Sequence, residues 1–234
     1  MSALLEVQNI DTYIGQFHIL EGVSVAANQG EITVLLGRNG AGKTTTLRSI
    51  MGLTPPASGT ILFRGERLNG RKPHQIAQMG IGYVPEHRAI FKELTVAENL
   101  RIAERKRGDL AARGDLIFEL FPDLKRLYGL KGGQLSGGQQ QMLAIARALV
   151  PHNDLLLIDE PSEGLAPVII LQLMTAIQRL AEHSTVLLVE QNFRVASQLA
   201  QRYIIIDDGS SVQSGAIAGL LQDTATIQRY LGVA

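Results

Sequence analysis

The sequence has no cysteine, which excludes disulfides and thiolate metal sites. It has no excess of charge of either sign, because 22 Lys and Arg balance 22 Asp and Glu. A protein that grips nucleic acid through general electrostatics is basic, so this balance disfavours that class. No apolar run approaches the ~18 residues of a membrane-crossing helix. The opening residues, MSALLEVQNID, have no basic segment leading into a long apolar one, so no secretory leader is expected. Internal repeats and low-complexity tracts are also missing. What remains is an ordinary globular composition, 45% apolar over 234 residues. That is enough for one large domain, or a domain with a lobe, around a sizeable core.

The early part of the chain reads as short strands. LLEVQNI and ILEGVSV alternate in part, and GTILFRGE is bounded by glycines. EITVLLG, Glu31 to Gly37, is a short buried strand running into a glycine-rich turn. KTTTLRSIMG then predicts a helix that stops at Gly52. Three more apolar runs have strand length: Leu155–Asp159, Thr185–Glu190 and Tyr203–Asp207. Helical patterns separate them, which implies a parallel sheet covered on both faces. DDGSSVQSG predicts a hairpin return after the last run. From about Pro85 to Pro151 no strand is expected, and the helical stretches there read as a lobe inserted into the α/β core.

Three motifs carry chemistry. GRNGAGKTT comprises Gly37, Arg38, Asn39, Gly40, Ala41, Gly42, Lys43, Thr44 and Thr45. It has the spacing of a phosphate loop, whose glycines let backbone N–H groups close around an anion. Lys43 would reach the β- and γ-phosphates, and the Thr44 hydroxyl would ligate Mg²⁺. The plain alternative is a glycine-rich turn, disfavoured by the length of the motif and its strand–loop–helix setting. LLLIDE ends a hydrophobic strand with two acids. Asp159 can hold Mg²⁺ through water, and Glu160 can orient and deprotonate an attacking water. Alone, such acids are as readily turn residues. In LSGGQQQMLAIARALV, Ser136 caps a helix behind Gly137 and Gly138, which makes a second anion site at a helix N-terminus. Its plain alternative is a helix cap next to a flexible joint.

LSGGQ ahead of LLLIDEP, and downstream of GRNGAGKT, resembles the ATP-binding subunits of ABC transporters over essentially the whole chain. The resemblance implies an α/β fold. Its parts would be a P-loop NTPase core with a mostly parallel sheet, an N-terminal antiparallel β part and an inserted helical lobe. Residues 1–234 would be one ABC ATPase domain, with the core at about 1–84 and 152–234 and the lobe at about 85–151. It further implies ATP and Mg²⁺ as ligands and a head-to-tail pair of subunits. ATP on Gly37–Thr45 of one subunit would then be closed over by Ser136, Gly137, Gly138 and Gln139 of the other, which accounts for two anion sites in one chain.

Within that family, YVPEHRAIF (Tyr83–Phe91), PSEGLAPVII (Pro161–Ile170) and LVEQN (Leu188–Asn192) resemble the second ATPase subunit of branched-chain or hydrophobic amino acid uptake systems. Each departs from the broader family pattern, which has Gln at Glu86, His at Gln191 and Asp at Ala166. Glu86 brings a carboxylate near Mg²⁺ and the attacking water, where it can ligate the metal but also adds negative charge. Gln191 can donate to the γ-phosphate but cannot become cationic. Tyr13 stands near where the family stacks an aromatic ring on adenine; a strand-face tyrosine is the equal alternative. Arg88, Ile90 and Phe91 resemble the surface that receives a helix from the membrane subunit; ordinary packing inside the helical lobe is the alternative, nearly equal for Phe91.

The implied partners are transmembrane permease subunits, a second ATPase subunit (the same chain or a different one) and, indirectly, an extracytoplasmic solute-binding protein. Nucleic acid is not expected as a partner. The implied place is peripheral, on the cytoplasmic face of the cell membrane. Urea or amide uptake ATPases are the alternative cargo reading. Chromosome- or repair-associated ATPases are disfavoured because there is no room for a long coiled coil, ribosome-associated ones because only one cassette is present, and GTPases because no Asn-Lys-x-Asp segment occurs.

Overall fold

Apolar runs without alternation suit strands buried on both faces, whereas alternating ones suit a sheet with one wet side. The computed structural model describes residues 3–232. In chain order, β1 (Ala3–Ile14) and β2 (Phe17–Asn28) form a hairpin, followed by β3 (Ile32–Leu36), α1 (Lys43–Ile50), β4 (Ser58–Phe63) and β5 (Glu66–Arg67). Then come α2 (Pro73–Gln78), β6 (Ile81–Val84), α3 (Val96–Arg101), α4 (Asp109–Leu120), α5 (Pro122–Arg126) and α6 (Gly137–Leu149). The last part runs β7 (Leu155–Asp159), α7 (Pro167–Ala181), β8 (Thr185–Val189), α8 (Phe193–Leu199), β9 (Arg202–Asp207) and β10 (Ser210–Ala216). Two short helices, α9 (Ile217–Leu220) and α10 (Thr224–Thr226), lead into a wide helical turn at Ile227–Leu231.

These strands make two sheets. The N-terminal one is antiparallel in the order β2-β1-β4-β5. The larger has the order β10-β9-β3-β8-β7-β6 and is parallel except for the edge strand β10, which returns from β9 as a hairpin. The α/β class, the mostly parallel sheet and the N-terminal antiparallel part all match the expectation from sequence.

Every residue of β3, β7 and β8 is buried, because the parallel sheet is covered on both faces. Their alternate side chains feed two separate cores. Val34, Ile158 and Leu188 join one core with α6, α7 and α8, and Leu35, Leu157 and Leu187 join the other with α1 and the antiparallel sheet. The pleat of a single strand thus glues one layer of helices to one layer of sheet. Between residues 85 and 151 the regular elements described are all helices, joined by loops, with one isolated bridge between Thr95 and Lys131.

The two-residue β5 and the longer β6 are not foreshadowed by the sequence. Ile81–Val84 forms β6 and pairs with β7. It is only four residues long and carries Gly82 in its middle, so it lacks the apolar run that marks the other strands. Gly82 is there for space, because a Cβ would lie 2.7 Å from Asn153 Nδ2 and from a Leu156 methyl.

Gly37 ends β3 with φ +149°, and a Cβ there would penetrate the carbonyl oxygen of Ile206. Gly40, at φ +82°, would place its Cβ in open space. Gly37→Ala should therefore lower stability by about 2 kcal/mol or more through overpacking against fixed backbone. Gly40→Ala should carry only the left-handed strain of about 1 kcal/mol. Thermal unfolding of the two variants measures the difference, and equal losses would show that strain alone decides both.

Candidate active site

The parallel strands deliver their C-terminal ends to one edge, and the site is built there. The loop Gly37–Gly42 leaves β3 and enters α1 through Gly42, an N-cap in the left-handed region (φ 109°) with no side-chain cap. An uncapped N-terminus with the positive end of the helix dipole behind it suits an anion. Lys43 is only 3% exposed. Its ammonium donates to the carbonyls of Gly37 (3.0 Å) and Arg38 (3.1 Å) and stands 3.4 Å from Glu160 Oε1. Arg38 points elsewhere, donating to the Arg229 carbonyl at 3.0 Å. Thr45 is buried within α1.

The fully buried Asp159 is the hub. Its Oδ1 accepts the Thr44 hydroxyl at 3.0 Å, and its Oδ2 accepts the Tyr83 hydroxyl at 3.4 Å. Burial pushes its carboxyl up to about 6, with help from the charges of Glu160 and Glu86 and against the Thr44 bond. The Tyr83 hydroxyl is pushed up in turn by burial and by the charge of Asp159. Glu160 follows β7 at φ 43°, an uncommon conformation for glutamate, with its N–H held at 2.9 Å by the Val189 carbonyl.

The Thr44 hydroxyl and the Asp159 carboxylate are adjacent hard oxygens. Such a pair fits Mg²⁺, which takes one or two protein oxygens and fills its shell with water and phosphate. Among the described residues no three His, Cys, Asp or Glu converge as metal ligands, so no closed protein cage competes with that arrangement. Glu86 is near enough for its charge to raise Asp159, and its own close neighbour is His87 Nδ1 at 4.0 Å.

The remaining residues singled out in the sequence take no part in the hydrogen bonds of Lys43, Thr44 and Asp159. Ser136 and Gln139 form a reciprocal cap on α6: the Ser136 Oγ accepts the Gln139 N–H at 3.3 Å and Gln139 Oε1 accepts the Ser136 N–H at 2.9 Å. Gly137 lies under the Arg88 guanidinium, and Gly138 packs on Ile169 so closely that a Cβ would come within 2.7 Å of its methyl. None of the hydrogen bonds of Ser136–Gln139 reaches the Gly37–Thr45 loop of the same chain. Gln191 is exposed and lines a cleft of about 600 Å³ with Phe193, Arg194, Ile227 and Leu231. Tyr13 is 48% exposed, and one face of its ring is stacked on His18 across the hairpin at 4.2 Å.

Arg88 and Ala89 both have positive φ, and the buried Asn99 braces the following segment through the N–H and carbonyl of Phe91. The Arg147 guanidinium lies 4.8 Å over the Phe91 ring. Two polar groups of the site escaped the sequence reading. Tyr83 was hidden inside a strand too short to notice. Glu190, the last residue of LVE, carries the same signal that marked Asp159, an acid closing a buried strand. Its carboxyl is pushed up by burial and by the charge of Glu160.

Comparison with known proteins identifies the family and the fold. A family profile described as "ABC transporter" matches residues 20–163. The chain is 43% identical to the high-affinity branched-chain amino acid transport ATP-binding protein BraG of Pseudomonas aeruginosa, covering 98% of this chain and 100% of that one. It is 34% identical to the lipopolysaccharide export system ATP-binding protein LptB of Escherichia coli, covering 98% of both. Among solved structures, a nucleotide-free ATP-binding cassette from an ABC transporter superposes with TM-score 0.86 and 26% identity over the full length of both chains. A dimeric cassette in a post-hydrolysis state with ADP and phosphate gives 0.80 and 26%, over 91% of this chain and 98% of that one. The chain belongs to the ATP-binding subunits of ABC transporters, enzymes whose hydrolysis of ATP is coupled to transport.

Proposed function

We propose that this chain powers the uptake of branched-chain amino acids through a membrane ABC transporter. The observation that carries the cargo is the 43% identity, end to end, with a protein named for branched-chain amino acid transport. Glu86, Gln191 and the Gly164–Pro167 turn point the same way through the resemblance they carry. Lipopolysaccharide export is a second reading, supported by 34% identity over the same length. Urea or amide uptake is the third. The chain would work as a pair with itself or a second ATPase subunit, seated on permease subunits at the cytoplasmic face, with a solute-binding protein outside.

In this reading Gly37–Thr45 cradles the phosphates of ATP. Thr44 and Asp159 hold Mg²⁺, with the Glu86 carboxylate beside them. When bound, the metal supplies charge neutralisation at the phosphate oxygens. The buried Lys43 is already neutralised by Glu160, and phosphate oxygens compete for the same ammonium. Drawing Lys43 toward phosphate leaves the Glu160 carboxylate free to take a proton from water. Gln191 contributes an amide donor at the γ-phosphate. Ser136–Gln139 act on the nucleotide of the facing subunit, a reading supported by the lack of any hydrogen bond between them and their own phosphate loop among the described residues, and by the existence of a dimeric cassette with ADP and phosphate. Tyr13 offers its remaining ring face to adenine. Arg88, Ile90 and Phe91 would receive a helix of the permease.

Three measurements test these assignments. Glu160→Gln should keep ATP binding and lose roughly 10²- to 10⁴-fold in hydrolysis, accumulating an ATP-bound dimer; near-normal turnover would remove Glu160 from the role of base. Lys43→Ala should weaken nucleotide binding by the isolated subunit, whereas Gly137→Asp should leave that binding intact and abolish hydrolysis. Mixing the two variants should restore partial activity by pairing an intact phosphate loop with an intact signature. Loss of ATP affinity by Gly137→Asp monomers would overturn the cross-subunit assignment. Finally, deleting the gene should abolish uptake of leucine, isoleucine or valine at low external concentration. Unchanged uptake of these, with loss of another solute, would replace the cargo and keep the transporter.

A further inference from the structure

The catalytic reading above leaves one buried acid without a part. Glu190 is 2% exposed and sits between the end of β8 and Gln191. Its Oε1 accepts the N–H of Asn192 at 2.8 Å, its Oε2 makes no hydrogen bond of good geometry, and the Ser162 hydroxyl and the Gln191 N–H lie near enough to favour its charged form. Its own N–H reaches the Leu35 carbonyl of β3 at 3.4 Å. One residue earlier, the Val189 carbonyl holds the N–H of Glu160. One residue later but one, Asn192 caps α8 by accepting the N–H groups of Arg194 and Val195 at 3.1 and 3.3 Å. The Glu190 side chain therefore stands where the end of β3, the strained turn of Glu160 and the turn carrying Gln191 converge.

A carboxyl is costly to bury unless it makes a bond that the structure needs. The bond here satisfies a backbone N–H in the turn next to Gln191. An apolar residue would fill the same space and leave that N–H unpaired. The Gln191 side chain, by contrast, is exposed and carries no hydrogen bond among the described residues, so its direction is set by its backbone.

We infer that Glu190 is a positioning residue for ATP hydrolysis: by clamping the Asn192 N–H to the end of β8 it fixes the turn from which Gln191 reaches the nucleotide. This rests on reading Gln191 as a γ-phosphate contact. The clamp acts through geometry, so an acceptor of the same length suffices and a shorter or apolar side chain does not.

The test is steady-state ATP hydrolysis by the full chain, with kcat and KM resolved, for Gln191→Ala, Glu190→Gln, Glu190→Leu, Glu190→Asp and the pair Glu190→Leu/Gln191→Ala. Glu190→Gln should stay within about threefold of the parent in kcat, because its amide oxygen can still accept from Asn192. Glu190→Leu should lose about tenfold or more in kcat with KM for ATP and thermal midpoint little changed, as expected for a misplaced contact. In the Gln191→Ala background the same Glu190→Leu change should cost less than about twofold, because the residue it positions is gone. Glu190→Asp replaces the leucine variant if that one fails to fold, and should also lose kcat. Full activity of Glu190→Leu or Glu190→Asp would overturn the inference. So would multiplying losses in the pair, or a Glu190→Gln variant as slow as Glu190→Leu. If Gln191→Ala itself turns over normally, the γ-phosphate reading falls and the clamp falls with it. A slow Gln191→Ala beside an unaffected Glu190→Leu sinks only the clamp.

Discussion

The hydrogen bond from Thr44 to Asp159 ties the first residues of α1 to the last residue of β7, and the bond from Tyr83 to the other oxygen ties in β6. Segments far apart in the chain thereby meet on one buried carboxylate. The phosphate loop cannot shift without pulling on Asp159, and neither can the segment that leaves β6 for Glu86. The electrostatics follow from this crowding. Glu160, Glu86 and Asp159 lie close enough for the first two to raise the third, and the cation beside them, Lys43, is shared with Glu160. Three carboxylates beside one buried ammonium leave a local surplus of negative charge, which suits a divalent cation, while the phosphate oxygens would be met by Lys43 and the backbone N–H groups of the loop.

How much of this could be read from the sequence depended on whether a feature is spelled by consecutive residues. The phosphate loop was legible because backbone wrapping demands glycine at fixed spacing and the cation and hydroxyl follow at once. The buried strands β3, β7 and β8 were legible because a sheet covered on both faces needs unbroken apolar runs. β6 was not, since the close approach of Asn153 and Leu156 requires Gly82 where a strand would otherwise show a large side chain. Tyr83 was lost with it. The stacking of Tyr13 on His18 depends on hairpin register across the turn at Gly15, which places the two rings opposite each other. The capping box at Ser136 and Gln139 was half legible: the serine cap was plain, whereas the returning glutamine bond shows that both side chains are engaged locally. The site roles carried over by resemblance rest on motif position, and the structure adds to them distances, burial and neighbours.

The two cores on either side of the parallel sheet divide the labour of the fold. One fastens α1 and the antiparallel sheet to the strands, and so stiffens the phosphate loop from behind. The other collects α6, α7 and α8 with the residues of α3, α4 and α5. The helix that carries Ser136–Gln139 at its start therefore shares a hydrophobic layer with the helix that follows Gln191. The signature end and the Gln191 turn are thus joined by packed side chains as well as by the chain between them.

The strand order has a consequence for how the chain is made. β3 emerges early, yet its neighbours on either side are β8 and β9, Thr185–Val189 and Arg202–Asp207. During synthesis the phosphate loop is therefore threaded out long before either flanking strand exists. The antiparallel hairpin of β1 and β2 can close locally as soon as it is exposed, but the central sheet must wait until β8 and β9 have been made. In the interval β3 offers two unpaired edges of apolar residues, the kind of surface that chaperones cover and that aggregates recruit. Nucleotide can find a finished binding loop only after both flanking strands have been made.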